Sequence, residues 1–362
     1  MNYFSVPMPF NIDLIGRYAQ INGLVENSKI TSVYNCLTRN SKGRCGFEQD
    51  RVIDEAVNNI DEFLRYSQVA QQYGFKVIYL INSLRTVSDK EFNRIEKRLR
   101  KLIIRLIENG IIDIRVASPL IIDYLINSFP IVKVHCSTSM EYKSIREYDN
   151  LLSLYNNIID IVPSWDMNRN FPFLKSFATR HPQVNIEMMA NEGCIHGCPF
   201  RYYHSVADVR LQGNNSRFAV FFKEGCKHIF SHDFWYNICM SNIIYPWQIP
   251  EYNKIGIYHF KLVGRNSPFL SDGRYVDTYL HYLQGIDNID SLMDLEFSEF
   301  NNFIYLSDYL SHIKVRDVID LLPDIKHFSK APFVCFVSCG SECNYCEQLS
   351  RKLNEKYPMG GN

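Results

Sequence analysis

The segment Lys76-Val77-Ile78-Tyr79-Leu80-Ile81 is an unbroken apolar run behind a single lysine, which reads as a buried strand. From Asp89 to Asn109 apolar residues recur at helical spacing, and Gly110 follows where a left-handed residue closes a helix. Ile112 to Ala117 is then strand-like again. Strand, amphipathic helix and strand in succession form one unit of a parallel sheet, because parallel neighbours need a long crossover.

The same alternation extends in both directions. Upstream, Phe4 to Pro7 reads as a first strand with a short helix from Asp13, and Ile30 to Tyr34 as a second. A polar loop with Cys36 and Cys45 then leads to a helix from about Asp50 to Gln72. Downstream, Pro119 opens a helix, as proline does at a first helical turn. Further strands are expected at Ile131–His135, Ile158–Val162, Val184–Met189 and Ile257–Leu262, with a last barrel helix near Asp277–Leu283. Eight strands with intervening helices predict an α/β fold, a (β/α)8 TIM-like barrel whose chemistry sits at the carboxyl ends of the strands. Cys36, Asn82, Ser118, His135-Cys136-Ser137, Ser164-Trp165, Asn191-Glu192 and Lys261 all fall at such ends.

A chain of 362 residues, 46% hydrophobic, can bury a large core. The 39 basic and 39 acidic residues cancel, which argues against the pervasive positive field of a dedicated nucleic-acid binder. No apolar run reaches membrane-spanning length and no signal-peptide pattern opens the chain, so the expectation is a cytoplasmic protein with no membrane partner. The expected division is a barrel over 1–285 with a Cys-rich loop at 190–240 between strands seven and eight, a C-terminal extension over 286–330, and a Cys-rich tail over 331–362. Within the extension, a helix-like stretch spans Val315 to Leu322, and the aromatic run Phe297 to Tyr309 would suit docking to another protein.

Eleven cysteines in a chain of this size point to metal or redox chemistry rather than a disulfide framework. Cys194 and Cys198 lie in a turn punctuated by Gly197 and Pro199, and Cys226 and Cys239 follow in the same long loop. Four thiolates suit an iron–sulfur cluster, with zinc the competing metal and burial as ordinary free cysteines the bland alternative. The tail carries Cys339-x3-Cys343-x2-Cys346, with Cys335 as a fourth, a candidate second cluster or metal site or else a redox-active or inert set. Its spacing is the one by which radical S-adenosylmethionine enzymes hold a cluster, although those enzymes place it in an early barrel loop. Glu192 and His135 are candidate acid–base groups, set against the ordinary structural role of a solitary histidine. Arg201, Lys261, Arg265 and Asn82 are candidate substrate contacts, arginine in particular gripping carboxylates and phosphates; surface ion pairing is the alternative for each cation. Tyr202, Tyr203 and His204 suggest an aromatic wall or plain packing.

Three stretches resemble the collagenase-like peptidase U-32 family. These are Asn191 to Arg201, Asp233-Phe234-Trp235-Tyr236-Asn237-Ile238-Cys239, and Phe260-Lys261-Leu262-Val263-Gly264-Arg265, the last similar to a Phe-Lys-Ile-Glu-Gly-Arg signature. The resemblance covers roughly Phe4 to Gln284. It implies a barrel with a 4Fe-4S cluster on Cys194, Cys198, Cys226 and Cys239, with Cys36 in reserve. It also implies oxygen-independent hydroxylation of a small molecule, peptide or RNA, with prephenate as the implicated oxygen source and an electron donor or paired protein as partner. The chain departs from the pattern in the short spacing of Cys194 and Cys198, in Val263 where the signature has glutamate, and in its extra tail cysteines. A peptidase or other hydrolase and a non-catalytic iron–sulfur partner are the rival expectations.

Overall fold

The computed structural model describes residues 1–36, 59–82, 89–203, 217–264, 273–297, 312–330, 335 and 339–358. Eight parallel strands close a barrel in chain order: β1 Asn2–Pro7, β2 Ser28–Asn35, β3 Lys76–Ile81, β4 Asp113–Val116, β5 Lys133–Cys136, β6 Ile158–Ile161, β7 Asn185–Met189 and β8 His259–Lys261. β8 returns to β1 with Phe260 opposite Phe4. The (β/α)8 expectation therefore holds.

Around it run α1 Ile12–Ile21, α2 Ile60–Gln72, α3 Asp89–Glu108, α4 Pro119–Ser128, α5 Ile145–Leu154 and α6 Phe171–Arg180. The connection between β7 and β8 holds α7 Arg217–His232, α8 Phe234–Met240 and α9 Ile249–Asn253, and α10 Arg274–Asp287 follows β8. After it come α11 Val315–Val318, α12 Ile325–Lys330 and α13 Tyr345–Lys356. The stretch expected as one helix from Val315 to Leu322 changes after Val318 into a tighter 3-10 turn at Ile319–Leu321. The upstream part of the helix expected from Asp50 lies outside the described residues, and its described part is α2.

Local sequence sets these ends. Asn11 accepts from the amides of Asp13 and Leu14 to start α1, and Ser144 with Glu147 forms a reciprocal capping box at α5. Gly110 has φ +73° and donates to the carbonyl of Ile107, closing α3 as the sequence predicts. α3 buries Ile95, Leu99, Leu102, Ile103 and Leu106, one helical face against the barrel.

One boundary matters for chemistry. β5 begins at Lys133, not Ile131, because Ile131 is 58% exposed and Val132 folds back to the carbonyl of Phe129. The strand also runs one residue past His135 to Cys136, so His135 is inside it rather than at its end. There it joins a polar network that fills the barrel interior where small barrels usually carry branched apolar side chains. Arg115 is 1% exposed; its Nη1 lies 2.5 Å from Glu187 Oε2 and its Nη2 3.4 Å from Asp160 Oδ1. His135 contacts Asp160 through Nδ1 and Asp113 through Nε2 at 2.8 Å, and Ser5 donates to Glu187 at 2.5 Å.

Candidate functional site

At the carboxyl face, the loops after β6, β7 and β8 bring Trp165, Cys194 and Val263 together over Val162 and Met189. Asn191, just past β7, ties these loops. Its side chain accepts from the Val263 amide at 2.6 Å and donates to the Val263 carbonyl at 3.3 Å. Trp165 is fully buried, and the Arg201 guanidinium lies over its ring at 5.4 Å. Arg201 is oriented by Glu141, which accepts from its Nε at 2.9 Å and from Ser164 Oγ at 2.7 Å. Glu141 holds a left-handed conformation, φ +55°, which is rare for a residue with a side chain.

Cys194, Cys198 and Cys226 are close enough to act on one another's charge. Burial pushes the Cys194 thiol up to about 12 although Arg201 pulls it down, and Glu192, Cys198 and Cys226 add to the rise. Burial and Cys198 raise Cys226 in the same way. Burial opposes the charge of Arg201, but Cys194, Glu141 and Glu192 outweigh it and raise that group. The mouth of the barrel thus carries three thiols, two carboxylates and one buried guanidinium.

Cys239 is not with them. It is fully buried on α8, where Cys346 of α13 donates to its carbonyl at 3.3 Å and Arg169 donates to the same oxygen at 2.9 Å. Its electrostatic neighbours are Cys346, Arg169 and Asp233. Cys335, Cys339, Cys343 and Cys346 line one pocket there with Tyr236 and Phe328. The two thiol groups are joined by a 3-10 turn, Trp165–Arg169, that follows β6. Asn168 in that turn donates to the carbonyls of Met189 and Asn242, both at 2.7 Å, and its own carbonyl accepts from Tyr252 at 2.7 Å.

The remaining expectations are placed as follows. His135 is enclosed in the interior network with both ring nitrogens taken, so it does not open on the mouth. Glu192 is half-buried beside Cys194 and Arg201. Lys261 ends β8, buried, with its ammonium 4.0 Å from the centre of the Tyr34 ring. Asn82 stands half-buried just past β3, and Arg265 lies outside the described residues. Cys36 is disulfide-bonded and so is not a thiolate held in reserve. Tyr202 and Tyr203 are exposed rather than walling a cavity, and His204 lies outside the described residues. Phe297 is buried, while the rest of the aromatic run to Tyr309 is outside the described residues.

Sequence reading missed Glu141, Arg169 and the charged interior. A usable signal was present for the interior, since Arg115, Asp160 and Glu187 interrupt otherwise apolar strands. Among the described residues, no three His, Cys, Asp or Glu side chains gather tightly enough to hold a single ion. A cluster makes a different demand, because each thiolate takes its own iron and the ligands ring a volume instead of a point. Thiol-only sets around a pocket fit that demand in their donor chemistry, while the implied set of four fits only in Cys194, Cys198 and Cys226.

No known family profile matches the chain, and no curated protein is similar to it. Among solved structures, it is similar to a U32 peptidase at 10% identity and a TM-score of 0.46, covering 73% of this chain and 93% of that one. A putative dihydrodipicolinate synthase family protein from Coccidioides immitis matches at 8% identity and a TM-score of 0.37, over 98% and 94% of the two chains. An O-GlcNAc hydrolase mutant from Thermobaculum terrenum matches at 12% identity and a TM-score of 0.34, over 77% and 56%.

Proposed function

We propose that this chain is an iron–sulfur enzyme that adds a hydroxyl group to a small molecule, peptide or RNA without molecular oxygen, taking the oxygen from an organic hydroxyl donor that is reduced by two electrons as the substrate is oxidised by two, with a paired protein as partner. The observation that carries the reading is the meeting of Cys194, Cys198 and Cys226 with Arg201 and Glu192 at the carboxyl mouth of a closed barrel. Cys194, Cys198 and Cys226 would hold the cluster, and three ligands on four irons leave one iron without a protein ligand. The cluster supplies one-electron chemistry and a Lewis-acidic iron. Arg201 binds an anionic group of the substrate, its plane fixed from behind by Glu141 and Trp165. Glu192 holds or moves a proton beside it. Trp165, Val162 and Met189 form the dry floor that keeps bulk water from the reacting group. No helix among the described residues is long and apolar enough to cross a membrane, which suits a substrate met in water.

Protein purified and reconstituted anaerobically is expected to contain iron and acid-labile sulfide. Comparative mass spectrometry of RNA, peptides and metabolites, with and without the gene, should find a hydroxyl-sized mass gain under anaerobic growth. Glu192→Gln should keep all the iron and lose the product, whereas Cys194→Ser should lose the product together with the iron held at the barrel mouth. Zinc without sulfide, or a product indifferent to Cys194→Ser, would sink the proposal; peptide cleavage in place of oxygen addition would make the chain a hydrolase.

A further inference from the structure

We propose that Cys335, Cys339, Cys343 and Cys346 hold a second iron–sulfur cluster, independent of the barrel mouth, with Arg169 as its buried counter-ion. Two separate observations point there. The first is the pocket itself, lined by all four thiols and shaped by a tight turn: Gly340 takes φ +78° and donates to the Cys343 carbonyl at 3.1 Å, which brings Cys339 and Cys343 side by side. The Tyr236 hydroxyl is hydrogen-bonded to the Cys339 thiol, and His327 Nε2 stands 3.7 Å from the Cys343 sulfur. Hydrogen bonds of this kind tune a thiolate-bound cluster.

The second is Arg169. It is 3% exposed, and among the described residues it makes no ion pair with a carboxylate. Its Nη1 donates to the Cys239 carbonyl at 2.9 Å and lies 3.8 Å from the Cys346 sulfur, and its guanidinium stacks on Phe328 at 4.6 Å. A buried guanidinium without an anion is strongly destabilising. The groups placed to supply that anion are the tail thiols, and they do so when they are metal-bound thiolates. The site therefore demands negative charge, and a cluster with four thiolate ligands carries it.

The test uses the full chain, reconstituted anaerobically with iron and sulfide, with circular dichroism confirming the fold of each variant. In a Cys194→Ser/Cys198→Ser background, iron and acid-labile sulfide should remain in equal amounts. Adding Cys339→Ser/Cys343→Ser, two half-exposed positions, should remove both. In the same background, Arg169→Met should move the midpoint potential of the remaining cluster to more negative values and Arg169→Lys should restore most of the shift, since a nearby cation favours the reduced, more negative state. Iron and sulfide unchanged by Cys339→Ser/Cys343→Ser, or zinc without sulfide in the background variant, overturns the site. A potential indifferent to Arg169→Met overturns the counter-ion. If wild type and Cys194→Ser/Cys198→Ser hold equal iron, the mouth reading fails and the tail site stands, so the two failures are distinguishable.

Discussion

Gly264 closes the Phe260 to Gly264 segment at φ +148°, and a Cβ there would lie 2.8 Å from the Tyr279 hydroxyl and 3.0 Å from the Tyr275 ring. Tyr279 cannot simply retreat, because its hydroxyl donates to the Val263 carbonyl at 3.1 Å. Gly264→Ala is therefore expected to cost about 1–3 kcal/mol, read as a lower urea midpoint. His135 gives a second prediction at this scale. Burial lowers its pKa, but Asp160 and Asp113 outweigh that and raise it above 6.5; for Asp160 the opposing effects of burial and of His135 with Arg115 end below 3.8. The His135 contribution is thus fully present below pH 6.5 and lost as pH rises through the raised value. The Asp160 contribution is present above pH 3.8 and lost as pH falls through the lowered one. Urea midpoints of wild type and His135→Gln should converge on the alkaline side, and a constant gap up to pH 9 or so would refute the network's charge state. The sequence marks Gly264 and His135 as notable, but the tyrosines behind one and the carboxylates around the other come from distant strands and helices.

Between elements, the main event is the return of α13 onto α8. Trp235 Nε1 donates to the Tyr357 carbonyl at 3.1 Å, their rings lie 5.9 Å apart, and Leu349 and Leu353 are buried. Leu353→Ala should cost roughly 2–4 kcal/mol and raise proteolysis of the C-terminal segment before the barrel melts. Barrel strands and helices were legible because their periodicities, 2 and 3.6, are local properties of the chain. Which helix α13 covers is not local: an amphipathic face specifies that something apolar lies opposite, not what. For that reason the spacing that groups Cys239 with Cys194 in sequence gives way to a grouping with Cys346 in space.

The molecule as a whole is a parallel barrel with charge at its centre, and its stability depends on how completely that charge is paired. Arg115→Met leaves Glu187 and Asp160 buried without their cation and should cost about 3–5 kcal/mol in thermal or urea unfolding. Arg105→Met at the exposed pair with Asp61 should cost under about 1 kcal/mol. Equal losses would mean that burial adds nothing to the interior pair beyond what an exposed pair contributes. The turn Trp165–Arg169 has a consequence at this same scale, because one end lies under Arg201 and the other against Cys239 and Cys346. A 3-10 turn advances about 2 Å and rotates about 120° per residue. It therefore acts as a gauge: its length sets both the spacing of the two thiol groups and the direction in which Arg169 faces. One alanine inserted after Met167 should swing Arg169 off phase by about a third of a turn and release α13 to protease, with the barrel's circular dichroism intact. Three inserted residues restore the facing and lengthen the gauge by about 6 Å, so the proteolytic defect should lessen when phase governs and worsen when distance does.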